Sequence, residues 1–102
     1  MRIVHGTDVF AELVNLSFYI AGDNEDAAQR FLAACDETFS FLVNNTQVGA
    51  TRTFQDPSLR DVRMWRVKGF EKYLIFYQPL SDGIKILHVV HSASNYKVLF
   101  ES

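Results

Sequence analysis

Cysteine is all but missing from this chain: Cys35 is the single one in 102 residues. That excludes a disulfide framework and a thiolate metal cluster. Cys35 falls on the apolar stripe of a predicted helix, where a lone thiol acts as a small hydrophobe and not as a nucleophile. Charge of one sign is also in short supply. The formal net charge is −2 and the pI about 5.8, so nothing draws the whole molecule toward nucleic acid or an anionic membrane. No apolar run approaches bilayer length, and Met1-Arg2-Ile3-Val4-His5-Gly6 lacks the hydrophobic stretch of a signal peptide. A cytoplasmic location with no membrane partner is expected. There is no Gly-rich phosphate loop, no Gly-x-Ser-x-Gly elbow and no His-Glu-x-x-His pattern. No cofactor is expected, and no internal repeat, linker or low-complexity stretch interrupts the chain.

What is plentiful is core material. Hydrophobic residues make up 48%, with nine Phe, four Tyr and one Trp, enough for a single domain over residues 1–102. Arg2-Ile3-Val4-His5 reads as a short strand ended by Gly6, after which Thr7 or Asp8 is expected to cap a helix. Phe10, Leu13, Val14, Ser17 and Ile20 recur at helical spacing, with Val9 and Leu16 widening the stripe. Gly22 is expected to stop that helix in a left-handed conformation. Asp23-Asn24-Glu25-Asp26 opens a second helix, its acids suited to the positive end of the dipole. Ala27, Ala28, Phe31, Leu32, Cys35, Phe39 and Leu42 mark its apolar face. Residues 44–58 read as a polar connection partly ordered by Phe54.

Three strand-like runs follow: 59–70, 72–79 and 83–91. Within the middle one, Tyr73-Leu74-Ile75-Phe76-Tyr77 is almost wholly apolar and suits a central strand covered on both faces. Asp82-Gly83 is a strong hairpin signal, and residues 94–102 add a short strand or one helical turn. The expected fold is α+β, in the order β-α-α-β-β-β, with a helical hairpin on one side of a twisted, mainly antiparallel sheet. The neighbour of the first strand is left open.

Charge is uneven along the chain. Residues 52–72 carry six bases (Arg52, Arg60, Arg63, Arg66, Lys68, Lys72) against three acids, whereas residues 23–37 carry five acids and one base. This contrast suggests a local binding site, a basic sheet face with Arg60, Arg63, Arg66 and Lys68 as target-binding residues. Arg63 shares a strand face with Trp65 and Val67, and Arg66 shares the other with Val62 and Met64, so at least one arginine projects toward solvent. A guanidinium can grip a phosphate or a carboxylate in bidentate fashion, and equally can be an ion-paired surface group. His88 and His91 lie three apart and so point to opposite strand faces, which rules against a shared metal; a strand-end histidine bonded to a backbone carbonyl is the plain alternative to a general acid or base. Tyr73 and Tyr77 share one face and are stacking platforms only if exposed; their apolar strand favours a core role.

The whole arrangement resembles the RelE/ParE superfamily of bacterial toxins, within it the ParE-like (plasmid-stabilisation) branch. The likeness lies in the first strand, "DNEDAAQRF", "VGATR", and above all Val62-Arg63-x-Trp65-x-Val67-Lys68-Gly69-Phe70 followed by Tyr73-Leu74-Ile75-Phe76-Tyr77 and ending at His91. The resemblance implies the toxin of a type II toxin–antitoxin module, neutralised by a cognate antitoxin that wraps it with an otherwise disordered segment. The ParE branch implies DNA gyrase as the target and no enzymatic activity. The RelE branch would make the chain a ribosome-dependent mRNA endonuclease, touching ribosome-bound RNA, with Arg63, Arg66, His91 and Tyr96 as catalytic candidates. A non-toxic module that only binds its antitoxin is the third reading. After His91 the chain reads Ser92-Ala93-Ser94-Asn95; Ser94 stands where relatives of the ParE branch commonly have arginine, a departure that weakens the nuclease reading. The oligomeric state stays open, a homodimer included.

Overall fold

The computed structural model describes residues 1–101. Its elements run β1 (Arg2–His5), α1 (Val9–Ala21), α2 (Glu25–Asn44), β2 (Ala50–Arg52), a 3₁₀ turn (Pro57–Leu59), β3 (Val62–Val67), β4 (Phe70–Leu80), β5 (Gly83–His91) and a last 3₁₀ turn (Tyr96–Phe100). The two helices pack on one face of a mixed sheet in the order β1-β5-β4-β3-β2. The α+β order read from the sequence holds, and β4 is central as its apolar run implies. β1 lies parallel to β5, with Ile3 opposite Ile84, while β5, β4, β3 and β2 run antiparallel in turn. Leu80 faces Gly83 across the Ser81-Asp82 turn. At the other hairpin Val67 faces Phe70, and Gly69 takes φ +79°, a value that costs a glycine nothing.

The connection at 44–58 is more ordered than its polarity suggests. Residues 50–52 pair with β3 as a short edge strand, Ala50 opposite Met64. Three residues with no apolar alternation are invisible to a pattern reading, since pairing alone makes them a strand.

The helices depart from expectation in four places. Asp8 is the N-cap of α1 but already has helical dihedrals (φ −96°, ψ −7°), and its side chain makes no capping bond; capping needs an extended backbone at that residue. Phe10 is 78% exposed, and the buried stripe is instead Val9 with Leu13, Leu16 and Ile20 packed on the core. Where apolar residues adjoin, as at Val9-Phe10, periodicity leaves the phase open by one position. Leu32, next to the fully buried Phe31, is turned outward for the same reason. Gly22 stays right-handed (φ −56°, ψ −32°). The break comes at Asn24, which is extended (φ −161°) and accepts the Ala27 amide on its side chain at 3.0 Å.

Both sheet faces are covered. Between helices and sheet, Phe31, Cys35, Phe39 and Leu42 of α2 pack on Val67, Tyr73, Ile75, Tyr77, Ile84, Ile86 and Val89 of the strands. Phe31 contacts Tyr73 and Phe70 with ring centroids 4.9 and 5.4 Å apart. On the opposite face Val62, Leu74, Phe76 and Val90 are roofed by Phe54, Leu59, Tyr96 and Phe100. Phe54 stacks on Phe100 at 4.6 Å, and Tyr96 lies 5.3 Å from Phe76. The final 3₁₀ turn thus closes the face that would otherwise be bare.

Candidate functional site

The expected basic face is not there. The sheet surface away from the helices is an apolar layer under the C-terminal turn, and the cations stand singly around the edges. Alternation along β3 explains the scatter, because consecutive residues go to opposite faces.

Arg63 faces the helical side, opposite Tyr77, and is bound within the chain. Its Nε donates to Asp61 Oδ1 at 3.1 Å, one terminal nitrogen donates to the carbonyls of Gln47 (2.8 Å) and Gly49 (3.1 Å), and the other to Gln47 Oε1 at 2.8 Å. Only 15% of its side chain is exposed. Asp61 holds its carboxylate there from a left-handed backbone (φ +55°), which aspartate tolerates better than most residues. The same knot contains Tyr77, whose hydroxyl accepts the Gly49 amide at 2.9 Å and donates to the Thr46 carbonyl at 3.0 Å. Burial raises the Tyr77 phenol above its ordinary value, partly offset by the Gly49 amide and the Arg63 charge. A side chain at position 49 would meet Tyr77 Oη at 2.6 Å, so the close approach of loop and strand needs glycine. Arg63 therefore fastens the 44–52 segment to the sheet.

The other three candidate cations are exposed. Arg66 is exposed, donates to the Glu71 carbonyl at 2.6 Å, and has no carboxylate in ion-pair reach among the described residues. Arg60 is exposed just after the first 3₁₀ turn. Lys68 pairs with Glu37 at 3.1 Å, both well exposed, a contact of small energy in water.

The remaining candidates are not gathered either. His91 faces the helical side and touches Tyr73 edge-on at 5.0 Å. Among the described residues it bonds no carbonyl; its Nδ1 accepts the Ala93 amide at 2.9 Å, which places the proton of the neutral ring on Nε2. Arg66 belongs to the opposite row, with Leu74 and Val90. Tyr96 lies on Phe76 beneath the C-terminal turn. His88 also departs from the carbonyl expectation, since its Nδ1 meets Glu12 Oε2 at 2.7 Å. Ser94 closes the turn after β5, donating Oγ to the His91 carbonyl at 2.6 Å. His88 and His91 do take opposite faces, and among the described residues no group of three His, Cys, Asp or Glu side chains could hold a metal. Tyr73 and Tyr77 are both buried, in the core role that their strand favoured. No helix among the described residues is long and apolar enough to cross a membrane.

A groove of about 430 Å³ is the feature that strand periodicity did not disclose. It runs between α2 and β3 and is lined by Glu37, Thr38, Phe41, Trp65, Arg66, Val67, Lys68 and Glu71. Phe41 lies off the apolar stripe of α2, is 42% exposed, and stacks on Trp65 with centroids 5.8 Å apart. An aromatic on the solvent side of an otherwise regular amphipathic helix was the available signal.

A family model described as "ParE toxin of type II toxin-antitoxin system, parDE" matches residues 7–96. No curated protein sequence matches the chain. With nearly the whole chain inside that match, this protein belongs to the ParE toxin family, and its expected partner is an antitoxin protein.

Proposed function

We propose that this ParE-family toxin acts by binding DNA gyrase, without itself cutting a substrate, until its antitoxin neutralises it. The observation that carries this reading is the dispersal of the catalytic candidates. Metal-free RNA cleavage needs a base, an acid and a cation around one phosphate. Here Arg63 is committed to Asp61, Gln47 and Gly49, Arg66 and His91 take opposite faces, and Tyr96 is packed on Phe76. Of the four candidate target-binding cations, Arg60, Arg66 and Lys68 are exposed and can grip a target, while Arg63 fastens the 44–52 loop.

Induced expression without the antitoxin should arrest growth with a DNA-damage response, and the purified protein should block supercoiling. Normal supercoiling at saturating protein would remove the gyrase reading. Codon-positioned cuts in translated messages, lost on His91→Ala, would replace it with the nuclease one. Unaffected growth with tight antitoxin binding would leave a binding module only.

A further inference from the structure

We infer that two copies of this chain pair through the outer face of α1, antiparallel across a two-fold axis. The pairing goes beyond the toxin reading above and does not rest on it. α1 carries one charged residue, Glu12, and that one turns inward to His88. What the helix shows to water is Phe10, Phe18 and Tyr19, 78, 73 and 72% exposed, with Ala11 and Asn15 between them. A surface helix of a globular protein sets charged side chains on that side, as α2 does with Glu25, Asp26, Arg30, Asp36 and Glu37. Three bare aromatics on an uncharged face mark an interface.

Area, spacing and charge name the occupant as a second copy. Rings exposed to this degree offer about 400–500 Å² on each copy, at roughly 200 Å² per aromatic side chain. Two copies then cover about 900 Å² with these rings alone, close to the ~1,000 Å² that a specific interface needs, and Ala11, Val14 and Asn15 add the remainder. A two-fold contact sets a helix against itself, so its pattern must read alike from both ends and hold no charge near the axis. Phe10, Val14 and Phe18 follow at four-residue steps and form one ridge; Ala11, Asn15 and Tyr19 form the next. With Val14 of each copy near the axis, Phe10 of one copy meets Phe18 of the other. Each ridge enters the groove beside the small Ala11 and Asn15 opposite, at the crossing of about −50° that four-step ridges give. Parallel pairing would set Asp8 and Asp23 each against its own copy and oppose the helix dipoles. A net charge of −2 resists the approach of a second copy only weakly. α1 lies over β5, whereas the Phe41–Trp65 groove lies beside β3, so the pairing leaves that groove open.

Sedimentation velocity on the purified full chain, without antitoxin, tests this. A species of twice 11.7 kDa should form with a Kd on the order of 10 μM, as a small interface gives. Phe10→Asp and Phe18→Asp should each raise that Kd about tenfold or more, because each drives an unpaired carboxylate into the contact. Val98→Asp, an exposed apolar position on the C-terminal turn, should change it less than about threefold. Circular dichroism confirms folding; should Phe18→Asp unfold, Phe10→Asp and cross-linking decide. A short bis-maleimide should join an equimolar mixture of Phe10→Cys and Phe18→Cys chains and link either variant alone far less; the buried Cys35 stays out of the reaction. A chain still monomeric at about ten times the expected Kd overturns the pairing. So does a dimer that Phe10→Asp and Phe18→Asp leave intact, or a cross-link formed by each variant alone and not by the mixture. A monomer whose antitoxin binding is lost in Phe18→Asp gives the face to the antitoxin and overturns it too. None of these outcomes touches the gyrase reading, which the supercoiling assay decides separately.

Discussion

Glu12 and His88, 76 residues apart in sequence, meet at 2.7 Å beyond the end of β1 on β5. β1 ends opposite Ile86, and the Val89 amide lies beyond that pairing. Glu12 reaches it from α1: Oε1 accepts that amide at 2.9 Å while Oε2 holds the imidazole. One carboxylate thus docks the first helix and finishes the sheet edge. Glu12→Ala should lower stability by about 1–3 kcal/mol, the usual cost of leaving a buried donor unpaired. Glu12→Gln, which keeps an acceptor, should cost less. Urea denaturation of the two variants gives the comparison.

The loop knot predicts a division among the arginines. Arg63→Ala should destabilise the fold by about 1–3 kcal/mol, because it frees the Gln47 and Gly49 carbonyls and the Asp61 carboxylate together. Arg60→Ala and Arg66→Ala should fall within about 0.5 kcal/mol of the parent, as exposed substitutions do. If target contact resides in the exposed pair, these two variants lose target binding at unchanged melting temperature.

Tyr77 and Gly49 should respond as one unit. Tyr77→Phe removes both hydroxyl bonds and should cost about 1–3 kcal/mol. Gly49→Ala puts a methyl 2.6 Å from the phenolic oxygen and 2.9 Å from Arg63 Cβ, an overpacking worth about 1–3 kcal/mol. In the double variant the oxygen clash is gone, so the measured loss should be smaller than the sum of the singles.

Cys35 predicts an alkaline limit. Burial, with a smaller contribution from the nearby Asp36 charge, pushes its thiol from 9.0 up to about 12. The folded state therefore keeps a proton that the unfolded state releases. Its stabilising effect is complete below about pH 9 and is lost as pH rises toward 12, at up to about 1.4 kcal/mol per pH unit. Burial raises the Tyr73 and Tyr77 phenols in the same sense. Cys35→Ala should flatten the slope of stability against pH between 9 and 12. A thiol-alkylating reagent should leave the native protein unlabelled at pH 8 and label it fully in denaturant.

The fold was legible where periodicity is unambiguous. The apolar run Tyr73–Tyr77 marked a strand covered on both sides, the Asp82-Gly83 pair marked a hairpin, and Phe31, Cys35, Phe39 and Leu42 marked the inner face of α2; all stand so in the structure. The phase of α1 was not legible, since Phe10 adjoins Val9 and only contact with β5 selects one of them. Nor was β2, whose three residues become a strand by pairing with β3. The candidate cations were all visible as residues, yet their fates were not.

Composition and pattern by themselves determined the two helices, the hairpin turn and the central strand, because local periodicity and turn residues act over a few positions. Tertiary structure alone decided that Arg63 is tied into the 44–52 loop while Arg66 stays exposed, and that Phe41 comes to stack on Trp65. Those outcomes depend on where residues 44–52 and α2 come to rest against the sheet, and contacts across such sequence distances leave no local trace.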